Sequence, residues 1–395
     1  MAEEKVTMSP KARRVVFWIS APVVAFAILG GVLSNVTARE GTYQYLKIFD
    51  DVVDLITNNY VEPVDVAKVM AGAMNGLADG LDPDSAYLTP AQVKQLESGA
   101  PLPAGEVGID LTRQYYLRII ATRDGSPAAK AGLRTGDYLR AINDSPTREM
   151  SVFEGMRALR GAPGTAIRLT IIRGNASDPH VVEVTREAPP TSDVSSRLAA
   201  PGVGYLRIAA IGPKTADQAR AQAADLTRAG ASSLIVDVRR TSGGQPDLGL
   251  ALARLFVGKG TLAMKETKGA ARETIAARSG DGTIALPLTL LVDTGTSGAA
   301  ELFASALAGN KRAELVGEHT IGRAAQQRLV KLPDGSGLWL TTTRYLTPAG
   351  EPLHEKGLEP SVIVEQPVVE FGQAPPAGDP VLERALERLA ARKAA

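Results

Sequence analysis

The stretch from Leu288 to Gln327 limits the possible folds more than any other part of the chain. Its apolar, branched run Leu288-Thr289-Leu290-Leu291-Val292 has the length of a buried strand. Asp293-Thr294-Gly295-Thr296 breaks the run as a turn. Ser297-Gly298-Ala299-Ala300-Glu301 then leads into a helix over Leu302–Leu307 that ends at Gly309-Asn310. A second apolar strand follows at Ala313–Val316. Upstream, Gly204–Ile208 reads as a strand, Lys214–Arg228 as a helix and Leu234–Val238 as a buried strand, a β-α-β unit that requires a parallel sheet. A strand that turns sharply into a helix presents its turn residue to the free amides of the helix's first turn. Hydrolases hold a nucleophile in such a place, because those amides stabilise an oxyanion.

Composition excludes several kinds of chemistry. At 395 residues the chain has room for two or three domains, and 44% hydrophobic with 22% charged residues suits globular cores. A net charge of +1 argues against a nucleic-acid partner, which would need a broad basic face. There is no cysteine, so disulfides and thiolate metal sites are excluded. His180, His319 and His354 lie far apart without metal-ligand spacing, so neither a metal nor a cofactor is expected.

The N-terminus points to export. A basic segment, residues 1–14 with Lys5, Lys11, Arg13 and Arg14, precedes an uncharged run from Val15 to Leu33. That run has about the 20 residues a bilayer-spanning helix needs. Basic residues on its N-terminal side place the start of the chain in the cytoplasm and the bulk beyond the inner membrane, in the periplasm or outside the cell. A single-pass anchor over 15–34 is the favoured reading. A cleaved secretory signal is the alternative, with Val36-Thr37-Ala38 as its cleavage site.

The remainder divides into four parts. Residues 40–98 read as helical, with Tyr45, Phe49, Val52, Val53, Ile56 and Tyr60 on one stripe and a second helix over Val66–Leu77. Pro101, Pro103 and Gly105 link this region to a module over 105–190, with a helix near Val152–Leu159 and a strand at Ile167–Ile172. A core over 191–365 follows, with a helix over Gln245–Val257 and strands at Thr261–Met264, Glu273–Ala276 and Leu338–Thr342. A proline-rich linker, 366–380, leads to an amphipathic helix over 381–395 suited to docking or dimerisation.

Three blocks of the core carry a family resemblance. They are Asp237-Val238-Arg239-Arg240-Thr241-Ser242-Gly243-Gly244, the stretch Gly295–Glu301, and Val316-Gly317-Glu318-His319-Thr320-Ile321-Gly322-Arg323-Ala324-Ala325-Gln326-Gln327. They resemble D-L-R-x-N-x-G-G, G-[ST]-A-S-A-S-E and V-G-E-x-T-x-G-K-G-x-x-Q of the C-terminal processing peptidases, or tail-specific proteases, which use a serine/lysine dyad. Gly80–Leu88 resembles that family's G-L-D-P-H-S-x-Y-L, and Tyr345–Gly350 and Lys356–Pro360 its closing elements. Gly125–Asn143 carries the P-A-x-x-A-G-L-x-x-G-D-x-L-x-x-I pattern of a PDZ domain. The fold class implied is a multidomain α+β and α/β chain, with a helical N-terminal region, a PDZ domain and a mixed α/β peptidase-like core.

The resemblance also places the site residues. The nucleophile falls on Gly298, which has no side chain to attack with. The general base falls on Arg323, whose guanidinium does not give up its proton. The supporting glutamine is kept as Gln327, and Gly243, Gly244 and Ala299 would supply oxyanion-hole amides. The PDZ resemblance implies capture of peptide C-termini on the loop Glu106-Val107-Gly108-Ile109, where a carboxylate at Glu106 would weaken capture. These substitutions favour a protease fold without proteolysis, binding peptides or regulating an active relative or a second copy of the chain. The alternative is a working serine peptidase with Ser297 as nucleophile and His319 as base. Otherwise Ser297 is expected to cap the following helix.

Overall fold

The computed structural model describes residues 43–174, 178–366, 369–373 and 378–394. The basic segment 1–14 and the uncharged run 15–34 lie outside the described residues. Among the described residues no helix is long and apolar enough to cross a membrane. The chain divides into two compact units, Met1–Ala73 and Met74–Ala395. The first contains helix α1 (43–59), which carries the apolar stripe read from the sequence, and the start of α2 (Val66–Asp79).

In the larger unit, strand β1 (Ala86–Leu88) leads into helix α3 (Pro90–Glu97), closed at its start by a reciprocal cap between Thr89 and Gln92. A small antiparallel module follows. It comprises β2 (Ile109–Gln114), β3 (Tyr116–Thr122), α4 (Pro127–Lys130), β4 (Tyr138–Ile142), β5 (Ser145–Pro146), α5 (Val152–Ala158), β6 (Ala166–Ile172) and β7 (His180–Thr185). The sheet runs β2-β3-β4-β6-β7, so β2 is an edge strand. Alternating Leu117, Ile119, Leu139, Leu169 and Ile171 fill the module's core. Ser151 and Glu154 cap the start of α5 reciprocally. A Cβ at Gly155 would come within 2.2 Å of the Leu117 side chain, so only glycine lets α5 lie this close to the sheet.

The core opens with β8 (Val194–Ala200), β9 (Val203–Ile208), α6 (Thr215–Arg228), β10 (Ser233–Asp237) and α7 (Pro246–Ala253). It continues with β11 (Thr261–Thr267), β12 (Glu273–Ala276), β13 (Leu288–Val292), α8 (Ala299–Gly309) and β14 (Ala313–Gly317). Last come β15 (Ala325–Lys331), β16 (Gly337–Leu346), β17 (Val362–Ile363) and α9 (Pro380–Ala394). The main sheet has the order β17-β14-β13-β10-β9-β8 and is parallel except for β8. A second, antiparallel sheet is built from β1, β16, β11 and β12, with β15 also paired to β16.

Burial on both faces explains the nearly continuous apolar character of the central strands. Leu234, Val236, Leu288, Leu290 and Leu315 point to one hydrophobic cluster, shared with α6, α7 and α8. Their neighbours Ile235, Leu291 and Val316 point to the other face, where Val381, Ala385 and Leu389 of α9 cover them. The C-terminal helix therefore docks on the sheet of its own chain. Two ion pairs fix it, Arg239 with Asp379 at 2.7 Å and Arg388 with Glu314 at 2.7 Å. Arg239 also holds the buried Asp237 at the end of β10. Burial alone would raise the Asp237 pKa, but Arg239 and Arg207 bring it below its ordinary value.

Three elements differ from the sequence reading, the first being strand β1, Ala86–Leu88, which lies inside the 40–98 region read as helical. Helix α7 stops at Ala253, and the next four residues turn so that Leu255, Phe256 and Val257 enter the core. Ala325–Lys331 is a strand paired with β16, and Gln327 stands within it. Removing the α9 anchor with Leu389→Ala is expected to destabilise the core by about 2–4 kcal/mol, the usual cost of a Leu-to-Ala cavity. The midpoint of urea unfolding followed by circular dichroism checks this.

Candidate active site

The turn between β13 and α8 is held from two sides. On one side it is stitched to the chain after β10. The Thr296 hydroxyl donates to the Val238 carbonyl at 2.9 Å, the Ser297 amide donates to Thr241 at 3.0 Å, and the Arg240 amide donates to Asp293 at 2.8 Å. On the other side it is tied to the loop after β14 through Glu301, which is fully buried. The Glu301 carboxylate accepts from the Thr320 hydroxyl at 2.5 Å and from the amides of Gly322, Arg323 and Gly298 at 2.6, 2.7 and 3.1 Å. Burial pushes its pKa up, while these donors pull the other way. Because all four partners donate, the geometry fits the ionised carboxylate.

Gly298 stands at the apex with φ 61° and ψ −117°, a conformation that costs any other residue about 1–3 kcal/mol. Space for a side chain exists nonetheless. A Cβ built there would lie 3.6 Å from the Gly243 carbonyl oxygen, 3.9 Å from the Gly243 nitrogen and 3.9 Å from the Arg323 carbonyl oxygen. Gly243 and Gly244 both have positive φ, 75° and 80°. A Cβ at Gly244 would strike the Ile211 carbonyl at 2.5 Å, so glycine is required for this close approach. Among the described residues no acceptor meets the amides of Gly243, Gly244 or Ala299. Three free donors thus belong to the apex and the glycine pair beside it, and a free amide near such a point suits negative charge.

Arg323 is a clamp. It makes a bidentate pair with Asp84, with Nε 3.0 Å from one carboxylate oxygen and Nη2 closing on the other, and its Nη1 donates to the Leu111 carbonyl at 2.6 Å. One side chain therefore joins the segment before β1, strand β2 and the core. Burial works against its charge, but Asp84, Asp110 and Glu301 outweigh it and hold the guanidinium above its ordinary pKa. Asp84 stands where the family motif has histidine. Read together with the arginine, it gives a charge pair that the sequence reading, taking each position alone, did not recognise. Asp110 was also missed. Its carboxylate lies 3.8 Å from where a Cβ of Gly243 would be, and burial pushes its pKa up against the pull of Arg323.

The other site residues lie as follows. Ser297 is buried, and its hydroxyl is 2.6 Å from that of Ser242. Ser297 does not cap α8. The cap position is Gly298, and Glu301 takes its amide, so the expected serine cap is replaced. His319 is half exposed, with Nε2 3.8 Å from the Glu359 carboxylate. Ser297 and His319 thus have different partners, and among the described residues no base is bonded to the Ser297 hydroxyl. Gln327 donates from β15 to the Thr341 hydroxyl at 3.1 Å.

In the small module the Glu106 carboxylate pairs with Arg160 at 2.7 Å and also with Arg123, so its charge is neutralised rather than left beside the loop. Among the described residues the amides of Val107 and Gly108 meet no acceptor, while Ile109 begins strand β2. The module is joined to the core again at Asp124, which pairs with Arg207 at 2.6 Å and Arg240 at 2.7 Å.

Known proteins share this plan. The sequence profile of peptidase family S41 matches residues 202–364, and that of the PDZ domain matches residues 118–173. A carboxy-terminal-processing protease of Bartonella bacilliformis is 29% identical over 367 residues, covering 91% of this chain and 84% of the relative. A carboxyl-terminal-processing protease of Synechocystis sp. is 31% identical, covering 78% of this chain and 74% of the relative. The solved photosystem II D1 C-terminal processing protease superposes with a TM-score of 0.67 at 28% identity, covering 78% of this chain and 85% of that one.

Glu301→Gln replaces one acceptor oxygen with an NH2 group facing donors, leaving buried amides unmet. It is expected to lower stability by about 2–4 kcal/mol, measured by denaturant unfolding of the full chain.

Proposed function

The chain belongs to the C-terminal processing peptidases of family S41, and on that premise we propose that it holds peptide tails without cutting them. In this reading it is an exported, membrane-anchored binding or regulatory scaffold, tethered through residues 15–34. Its partners are peptide or protein C-termini, taken through the PDZ domain, and an active relative or a second copy of the chain. The observation that carries the reading is the pairing of an apex without a side chain, Gly298, with an arginine committed to Asp84 and Leu111. Cleavage by the family's dyad needs a nucleophilic oxygen and a neutral base beside it. Neither residue type stands at those positions. The free amides of Gly243, Gly244 and Ala299 favour an anionic or carbonyl group there all the same, which supports binding at a site without chemistry.

Reversion tests this more sharply than the native chain alone. Gly298→Ser has room for its side chain beside the Gly243 amide. The lysine introduced by Arg323→Lys would lie beside Asp84, whose carboxylate favours the charged ammonium and so works against a base. The double variant Gly298→Ser, Arg323→Lys is therefore expected to remain silent, and the triple variant with Asp84→His to gain measurable cleavage. Each is incubated with an unstructured polypeptide ending in apolar residues, and products are read by mass spectrometry. Cleavage by the native chain that disappears in Ser297→Ala would refute the reading.

A further inference from the structure

A cavity of about 400 Å³ opens between α5 and the core, within the roughly 300–1,000 Å³ range of small-ligand sites. Phe153 and Met156 of α5 line it together with Trp339 of β16, whose ring packs against that of Phe153 with centroids 6.0 Å apart, so the two rings form one continuous apolar floor. Three guanidinium groups border this apolar space, those of Arg157, Arg160 and Arg323, against a single lining carboxylate, Asp84. Arg323 is bound to Asp84, and Arg160 is bound to Glu106. Arg157 has no anionic partner among the described residues; its guanidinium lies over the Phe153 ring, 5.2 Å from the centroid. The cavity therefore offers one uncompensated positive charge beside an apolar pocket, complementary to a monoanion with an apolar body.

A second observation bears on how such a ligand enters. A PDZ domain ordinarily takes a peptide as an extra strand on the open edge of its sheet. Here β2 is the edge strand, but its Leu111 carbonyl is already taken by Arg323 from the core. Strand addition along β2 would have to displace that contact, whereas the cavity on the core side of α5 is open. Resting on the tail-binding reading above, we infer that the cavity receives the last residue of a peptide, its apolar side chain against Phe153, Met156 and Trp339 and its C-terminal carboxylate on Arg157. This makes the core a wall of the peptide site, and it makes Arg157, outside all the family's motifs, the residue that selects free C-termini.

The test uses the full chain and a fluorescein-labelled decapeptide of glycine and serine ending in Val-Leu, as the free acid and as the amide. Anisotropy is expected to show the free acid bound, weakened about tenfold by Arg157→Gln and largely retained in Arg157→Lys, the size expected for losing one charge-assisted contact. The amide should bind more weakly and be indifferent to Arg157→Gln. Arg157 is only partly buried, so its variants should fold, and circular dichroism checks that they do. A benzophenone at the peptide's last position should crosslink to the core segment containing Trp339. Free-acid binding unchanged in Arg157→Gln, or crosslinks confined to 107–122, would overturn the cavity site and leave tail binding at the loop amides standing. No binding of either peptide to the native chain would overturn tail binding and the cavity site together.

Discussion

A single guanidinium holds the molecule's working parts in one arrangement. Arg323 reaches from the loop after β14 to Asp84, before β1, and to the Leu111 carbonyl of the PDZ strand β2. A lysine could neutralise Asp84, but its ammonium is a point charge without the planar fork that makes the bidentate pair and has a third arm for the carbonyl. The exchange of base for clamp therefore changes more than protonation. At the position where the family resemblance puts a base, Arg323 fixes where the PDZ domain meets the core. Asp84 is its complement, since a partly buried arginine held here without a carboxylate would be destabilising. Asp124, gripped by Arg207 and Arg240, adds a second polar anchor across the same boundary.

The apex carries no side chain, yet its shape is firmly held. Gly298 holds φ 61° and ψ −117°, where a side chain stores strain and a glycine stores almost none. A serine at this point would be a strained residue, so in the proposed reading the glycine both relieves strain and leaves no hydroxyl for chemistry. What maintains the shape is independent of the missing group. Glu301 gathers four donors from the apex and the facing loop, and Thr296 and Asp293 bind the turn to the chain after β10. For that reason the Gly243 amide lies beside the position a side chain at Gly298 would take, 3.9 Å from a Cβ built there.

Much of this was legible in the sequence because local pattern and tertiary role agree. The β13–α8 turn, the β9–α6–β10 unit and α5 were all readable from apolar spacing and breakers. They are buried elements whose periodicity records their faces. Other features were not readable, and three of them bear on the site. Strand β15 carries Gln326, Gln327 and Arg328 and is largely polar, so its place in a sheet depends on pairing with β16 rather than on its own pattern. The cap of α8 was assigned to Ser297, but Glu301 satisfies the apex amide from within the helix, and the serine hydroxyl turns to Ser242. The Asp84–Arg323 pair spans 239 positions. Each substitution is visible by itself, but only the fold brings them together. The membrane segment proposed for 15–34 rests on sequence alone.

The central claim is that no hydroxyl at this site is activated for attack. A fluorophosphonate probe phosphonylates the nucleophile of a working serine hydrolase, the serine oxygen displacing fluoride from phosphorus, and ignores an unactivated serine, so intact-mass analysis of the probe-treated chain addresses the claim directly. The account predicts an unchanged mass for the native protein. A stoichiometric adduct that maps to Ser297 would contradict it.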